Sequence, residues 1–179
     1  NYAQAKEYLE KALEEGEIEA YCDLGNLYFE GNGVEKNYKR AFDYYQKGAK
    51  AGEPYCMDNL GMCYFWGHGV DTDIQKSAFY TEKAAKAGIE RAMYDTGLNY
   101  ERGYGVSQNI EKALYWLEKA AEEEYPTAFV ELGDLYFVGE YVEKDLEKSF
   151  QYYKKGAELG DHTSKLLLST FYEEGLVVE

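Results

Sequence analysis

The sequence has few of the residues that interrupt or cross-link a chain. Its 179 residues include only two prolines and three cysteines. The cysteines, Cys22, Cys56 and Cys63, are odd in number and lack CxxC spacing, which argues against a disulfide framework or a zinc site. Unpaired cysteines are typical of a reducing compartment, so we expect a cytoplasmic location.

Long apolar runs and basic residues are also in short supply. No stretch of about 18 consecutive apolar residues occurs, so we expect no segment that inserts into or spans a bilayer. The 34 acidic residues outnumber the 19 basic ones and give a formal charge of −15. That charge would repel a phosphate backbone, so nucleic acid is not an expected partner.

Aromatic and small residues are abundant instead. Hydrophobic residues make up 45% of the chain, which excludes a disordered polymer. Tyrosine (20) and glycine (18) are plentiful, while valine and isoleucine are scarce. This mixture is typical of helices that pack closely through small residues.

A single motif returns at a constant interval of 36 residues. The string LGNLYFEGNGV at 24–34 returns as LGMCYFWGHGV at 60–70, and in more divergent forms from residues 96, 132 and 168. Such self-similarity is the signature of a helical repeat array. Three residue types keep strict register in the five copies: Tyr28, Tyr64, Tyr100, Tyr136 and Tyr172; Gly31, Gly67, Gly103, Gly139 and Gly175; Val34, Val70, Val106, Val142 and Val178.

A second pattern, AFDYYQKGAKAG at 41–52 and its copies, fills the rest of each period. Its small and aromatic residues recur at separations of three and four, which is the helical period. The pattern therefore predicts two helices per repeat, helix A with the Leu-Gly motif and helix B with this second pattern. The predicted N-caps of helix B are Asn1, Asn37, Asp73, Asn109 and Asp145. The predicted left-handed residues after its end are Gly16, Gly52, Gly88 and Gly160, with Glu124 as the exception.

The sequence therefore predicts an all-α fold, a right-handed alpha-alpha superhelix (solenoid) of 36-residue helix-turn-helix repeats with about ten helices. We expect a half repeat with helix B at 1–16, full repeats at 17–52, 53–88, 89–124 and 125–160, and a half repeat with helix A at 161–179. Neither end shows a polar capping helix, so we expect the chain to be a fragment of a longer protein. The glycines of the Leu-Gly pairs are predicted to let two helix backbones approach closely: Gly25, Gly61, Gly97 and Gly133.

These motifs resemble known helical repeats. The spacing of Leu24, Gly25 and Tyr28, followed by Ala41 and Tyr45, resembles the tetratricopeptide repeat. The longer G-x-G-V turn and the KAAKAG ending at 83–88 are more similar to the Sel-one-like repeat family, and this resemblance covers essentially the whole chain. It implies roles in signalling assemblies, membrane-associated complexes and host contact. We therefore expect a scaffold or adaptor, not an enzyme, that binds a peptide or partner domain on its concave face.

The resemblance to tetratricopeptide-like arrays also assigns a set of helix A positions to the concave side. At these positions the chain is rich in aromatic and arginine side chains, which dominate the binding energy of most interfaces. We expect apolar anchors and two arginines that bind an acidic or C-terminal carboxylate group of the partner. Three of the phenylalanines, at 29, 65 and 137, are equally well explained as packing between helices. The predicted partner-binding residues are Phe29, Tyr55, Met62, Phe65, Trp66, Arg91, Tyr94, Leu98, Arg102 and Phe137.

No catalytic residue, cofactor site or metal site is predicted. The glycine-rich turns lack the third glycine and the preceding strand of a phosphate loop, and His68 and His162 have no second ligand four residues away. Some cysteine-rich secreted members of the similar family have been described as β-lactamase-like, but no Ser-x-x-Lys occurs here. Their disulfide partner is also missing, because Cys56 is expected to face Ala49. A cell-wall-acting enzyme and a passive structural spacer stay open as alternatives.

Overall fold

The computed structural model describes residues 2–176, and these residues form ten α-helices and no β-strand. The predicted all-α class and helix count are confirmed. The predicted N-cap Asn1 and the last registered valine, Val178, lie outside the described residues. The helices are α1 (Tyr2–Glu15), α2 (Ala20–Glu30), α3 (Tyr38–Ala51), α4 (Pro54–Trp66), α5 (Ile74–Lys86), α6 (Glu90–Arg102), α7 (Ile110–Glu122), α8 (Pro126–Val138), α9 (Leu146–Glu158) and α10 (His162–Glu174).

The helices belong to two compact units. Unit 1 comprises the described residues up to Ala92 together with Tyr104–Val106, and unit 2 comprises Met93–Gly103 and the described residues from Ser107 onward. Unit 1 therefore contains α1 to α5, unit 2 contains α7 to α10, and α6 begins in unit 1 and continues in unit 2. Even-numbered helices correspond to helix A of the predicted repeat, and odd-numbered helices correspond to helix B.

Capping residues define the ends of helix B as the sequence predicted. The side chains of Asn37, Asp73, Asn109 and Asp145 each accept a hydrogen bond from the backbone N–H three residues later, at 2.9–3.0 Å. The four predicted glycines after helix B have φ between 94° and 100°. Glu124 takes a left-handed φ of 57° at the same position, although this conformation costs a non-glycine residue about 1–2 kcal/mol. The repeat therefore keeps its turn even where the sequence departs from it.

The Leu-Gly pair of helix A lies at the contact between the two helices of a repeat. Leu24, Leu60 and Leu132 are fully buried, and Thr96 is buried at the same position of α6. In unit 1 these contacts extend into one apolar cluster of buried residues: Cys22, Tyr28, Ala41, Phe42, Tyr45, Cys56, Leu60, Cys63 and Tyr64.

The glycine of the pair makes room for a side chain of helix B. A Cβ atom on Gly25 would overlap the ring of Tyr45, and one on Gly133 would overlap the ring of Tyr153. The Tyr45 hydroxyl donates a hydrogen bond to Asn26 Oδ1 at 2.8 Å, which helps to hold this ring in place. At Gly61 and Gly97 the predicted close approach of two backbones is confirmed, because a Cβ atom there would lie 3.3 Å from a backbone oxygen of helix B. At Gly25 and Gly133 a tyrosine ring is the nearest neighbour.

Helix B of one repeat also packs on helix A of the next through small residues. A Cβ atom on Gly48 would meet Cys56 Sγ, and one on Gly156 would meet Ser164 Oγ. Cys56 was predicted to face Ala49; its sulfur lies against Gly48, and Ala49 packs against the cluster that contains Cys56. Where helix A carries a cysteine or a serine at this position, helix B carries a glycine, and the missing Cβ atom leaves room for the sulfur or oxygen atom. Where helix A carries alanine, helix B carries alanine as well, at Ala84 and Ala92 and at Ala120 and Ala128.

This complementarity predicts a strong coupling between Gly48 and Cys56. Gly48→Ala should destabilise the protein by roughly 1–3 kcal/mol, because the new methyl group overpacks against the cysteine sulfur. In a Cys56→Ala background the cost should fall by at least half, since the alanine pair already occurs at three of the other four copies of this contact. Urea unfolding of the four proteins of this double-mutant cycle measures the difference. An equal cost in both backgrounds would contradict the packing described here.

Candidate functional site

One face of α4 carries the predicted apolar anchors of unit 1. Tyr55 and Trp66 lie at opposite ends of this helix and are 59% and 65% exposed. Met62 and Phe65 are half-buried, and the rings of Phe65 and Trp66 meet edge to face at 4.8 Å. Side chains three or four residues apart share one side of a helix. We call Tyr55, Met62, Phe65 and Trp66 the α4 stripe.

The opposite face of α4 is part of the core. Cys56, Leu60 and Cys63 are fully buried or nearly so. The helix is therefore apolar on its outer as well as its inner side. A solvent-facing helix normally shows polar residues on its outer side, and exposed apolar patches commonly mark interaction surfaces.

Arg91 lies beside the α4 stripe and contacts two residues of α4. Its Nη2 atom forms an ion pair with Asp58 Oδ2, and its Nη1 atom lies 3.0 Å from Met62 Sδ. Asp58 is buried, and burial raises the pKa of its carboxyl group while the guanidinium of Arg91 opposes the rise. Arg91 therefore compensates a buried negative charge in addition to facing the surface.

The predicted phenylalanines differ in their surroundings. Phe29 is half-buried and packs on the rings of Tyr38 and His68, with centroids 5.0 and 5.2 Å away. Phe137, in unit 2, packs on Phe171 at 5.6 Å. Phe65 differs from Phe29 and Phe137 because the ring it contacts, that of Trp66, is exposed.

Unit 2 has an acidic surface around the remaining predicted residues. The Tyr94 hydroxyl donates a hydrogen bond to Glu131 Oε1 at 3.1 Å. Arg102 lies near two carboxylates, with Nε 3.6 Å from Glu101 Oε2 and Nη2 3.9 Å from Glu131 Oε2. Burial raises the pKa of Glu101, the Arg102 charge opposes the rise, and the neighbouring carboxylates add to it. A shallow pocket of this surface is lined by Glu101, Glu131, Asp134, Leu135, Val138, Glu140 and Tyr141.

Seven of the ten predicted residues form two groups, one within each unit. The α4 stripe and Arg91 lie together in unit 1, and Tyr94 and Arg102 meet the same glutamate, Glu131, in unit 2. Leu98 is half-buried on α6. Sequence reasoning missed the carboxylates that contact the two arginines. These contacts could have been found in the sequence, because Asp58 and Arg91, and likewise Arg102 and Glu131, are opposite charges on successive A helices.

Among residues 2–176, no helix combines the length and the apolar character that a membrane span requires.

The ion pair of Arg91 gives a prediction for stability. Arg91→Ala should destabilise the protein by about 2–3 kcal/mol, because it leaves Asp58 as a buried carboxylate without its cation. The cost should be smaller in an Asp58→Asn background. A carboxyl group whose pKa is higher in the folded than in the unfolded protein lowers the protein's stability as the pH rises through that pKa. The cost of Arg91→Ala should therefore be larger at pH 8 than at pH 5. Urea unfolding at both pH values tests this, and an equal cost with Asp and Asn at position 58 would contradict it.

The chain was compared with known families and structures. The family model described as Sel1 repeat matches residues 1–17, 18–53, 54–89, 90–125 and 130–161. A Sel1 repeat protein from Oxalobacter formigenes is 31% identical, with a TM-score of 0.85, over 95% of this chain and 76% of that one. A protective antigen with an SLR fold, present in uropathogenic Escherichia coli strains, is 32% identical, with a TM-score of 0.89, over 95% of this chain.

More distant structures share the fold. An immunity protein from Pseudomonas aeruginosa is 27% identical, with a TM-score of 0.59, over 90% of this chain. The chain spans 36% of the length of the Escherichia coli antigen and 60% of the length of the immunity protein. No curated protein matches the sequence at a significant level.

These matches account for both the period of the sequence and its fold class, an all-α fold of helical repeats. Sel1 repeat proteins are generally protein-interaction scaffolds, and their helical repeats are generally non-enzymatic. From the repeats matched along its length and from its relatives of known structure, the chain belongs to the Sel1 repeat family.

Proposed function

We propose that this chain is a scaffold or adaptor that binds a peptide or partner domain through the α4 stripe of unit 1. The observation that carries the proposal is the exposure of Tyr55 and Trp66, on a helix whose other side is core. Tryptophan and tyrosine are the residues most enriched at the energetic centres of interfaces. Each can bury about 150–250 Å² when a partner covers it.

Polar groups beside the stripe support a peptide as the bound segment. Asn59 lies on the same side of α4, and its Nδ2 atom is 3.3 Å from Oδ1 of Asn26, which is exposed on α2. Side-chain amides offer both donors and acceptors to a partner's backbone. Apolar anchors beside a few amides are typical of peptide-binding surfaces. A dissociation constant near micromolar, about −8 kcal/mol, is ordinary for such a contact.

We also propose that Arg91 and Arg102 bind an acidic or C-terminal carboxylate of the partner. Both guanidinium groups already lie near carboxylates of the chain, so a partner carboxylate has to compete with them. Arg102 is the better candidate, because its contacts of 3.6 and 3.9 Å are longer than hydrogen bonds. The acidic side chains around Arg102 would repel a partner carboxylate, so carboxylate binding at Arg102 is tested separately.

Affinity capture from a lysate of the source organism tests the proposal with a matched control. Phe65→Ala with Trp66→Ala removes two residues of the stripe. Phe79→Ala with Tyr115→Ala removes two side chains that are 53% and 52% exposed on helices of the B class. We expect the parent and the control to retain the same partner and the stripe variant to bind it at least about tenfold more weakly, as loss of a hot spot does.

Two outcomes of these experiments would contradict the proposed function or its carboxylate-binding part. If the parent and the stripe variant capture the same proteins in equal amounts, or none, the stripe is packing and the chain acts as a spacer or through another face. An Arg102→Gln variant tests carboxylate binding at Arg102 separately. Unchanged binding of the captured partner by that variant would contradict carboxylate recognition at Arg102 while leaving the role of the stripe intact.

A further inference from the structure

Three side chains that commonly bind metal ions meet between α2 and α4 in unit 1. Cys22 Sγ, Cys56 Sγ and a carboxylate oxygen of Glu53 all lie within 4.8 Å of one another. All three residues are buried, with exposures of 7%, 0% and 3%. The sequence did not suggest this cluster, because its cysteines belong to successive A helices and have no CxxC spacing.

The distances suit a tetrahedral ion with sulfur ligands. With Zn–S bonds of about 2.3 Å, two thiolates of one tetrahedral zinc site lie about 3.8 Å apart. The three ligand atoms lie at most 4.8 Å apart, so each distance between two of them has to shorten by no more than about 1 Å for an ion to bind. Side-chain rotation alone can supply a movement of that size. Two thiolates with one carboxylate are a donor set suited to a zinc-like ion and poorly suited to Mg²⁺ or Ca²⁺.

Glu53 is a buried carboxylate that caps the N-terminus of α4 and, within residues 2–176, has no cationic side chain beside it. Its Oε1 atom accepts a hydrogen bond from the Tyr55 backbone N–H at 3.2 Å, and its Oε2 atom accepts one from the Cys56 backbone N–H. No lysine or arginine of the described residues forms an ion pair with it. Hydrogen bonds of this kind orient a ligating carboxylate, and a bound cation would compensate its charge.

The sulfur of Cys22 already receives a hydrogen bond of the kind that supports a bound thiolate. Asn59 Nδ2 lies 3.2 Å from Cys22 Sγ. Cys22 is also the ligand nearest to solvent, beside the exposed side chain of Asn26. Outer hydrogen bonds of this kind are typical of metal-binding residues.

The two sulfurs lie close together. Cys22 Sγ and Cys56 Sγ are within 4.8 Å of one another, and the Cys56 sulfur lies where a Cβ atom of residue 48 would otherwise stand. Both sulfur atoms therefore border the same small volume.

The fold itself does not require the two sulfurs, although Glu53 also caps α4. The position of Cys56 is alanine in three other repeats, and the position of Cys22 is never a second cysteine. The helix spacing is therefore satisfied without sulfur, and packing alone does not account for the pair of cysteines. In register, Cys56 corresponds to Ala20, Ala92, Ala128 and Ser164; Cys22 corresponds to Asp58, Tyr94, Val130 and Leu166; Glu53 corresponds to Glu17, Ile89, Tyr125 and Asp161.

We propose that Cys22, Cys56 and Glu53 bind one divalent ion of the zinc class, with a fourth position open to water. Both thiols lose their protons to solvent as the two metal–sulfur bonds form, and no electron is transferred. The ion joins α2 to α4 and so cross-links the first two A helices of unit 1.

Titration of the whole chain with Co²⁺ tests the proposal, because cobalt bound to thiolate gives a sulfur-to-cobalt charge-transfer band in the near ultraviolet. The protein is kept reduced with a phosphine and free of chelators. We expect the band to saturate at one Co²⁺ per chain and to disappear when Zn²⁺ is added. Cys22→Ser should reduce the band by half or more, and Cys22→Ser with Cys56→Ala should abolish it. Glu53→Gln should weaken Co²⁺ binding about tenfold or more.

Cys63→Ser is the matched control, since Cys63 is a third buried cysteine of the same region but lies outside the cluster. It should keep the band. Circular dichroism shows whether each variant has folded, and Cys56→Ala introduces the residue that three other repeats carry. Three outcomes would overturn the proposal: no band in the reduced parent, an equal band in the double variant, or a Cys22–Cys56 disulfide that the reductant does not open.

Discussion

The contact between helix A and helix B at the Leu-Gly pair determines the spacing on which every other feature depends. Leu24, Leu60 and Leu132 are fully buried there. The glycine that follows leaves space for a side chain of the partner helix, which is the Tyr45 ring in the case of Gly25. Because each repeat touches only its neighbours, the same distance must be kept from one repeat to the next. The contact residues therefore recur along the chain, while the outward-facing residues are under no such constraint.

Function is expected in the residues that do not recur. Tyr55 and Trp66 belong to positions that vary between repeats, and their packing is not needed for the helix contact. At the position of Tyr55 the other repeats carry Glu19, Arg91, Thr127 and Thr163; at the position of Trp66 they carry Glu30, Arg102, Val138 and Glu174. Buried positions vary as well, and among the described residues Cys22, Glu53 and Cys56 come together between α2 and α4. A regular scaffold thus carries an irregular surface, which suits a family of interaction proteins.

The fold was predictable because its rules are local and repeat at a fixed period. Asn37 and Asp73 cap their helices through contacts within four residues, and each copy of the motif supports the others. Contacts between successive repeats were not predictable in this way. The ion pair of Arg91 with Asp58, and the approach of Cys22 to Cys56, depend on helix spacing and side-chain reach. Sequence rules for metal sites rely on short spacings along the chain, so they miss ligands supplied by neighbouring repeats.

The role of the Leu-Gly contact is measured most simply by the stability of a Gly25→Ala variant in urea. We expect a loss of roughly 1–3 kcal/mol, because the added methyl group meets the ring of Tyr45. Gln46→Ala, an exposed substitution on the helix that carries Tyr45, should change stability by less than about 0.5 kcal/mol. An alanine free of the contact with Tyr45 would instead stabilise the helix by about 0.5–1 kcal/mol. A gain of this size at position 25 would show that the glycine is not needed to make room for the Tyr45 ring.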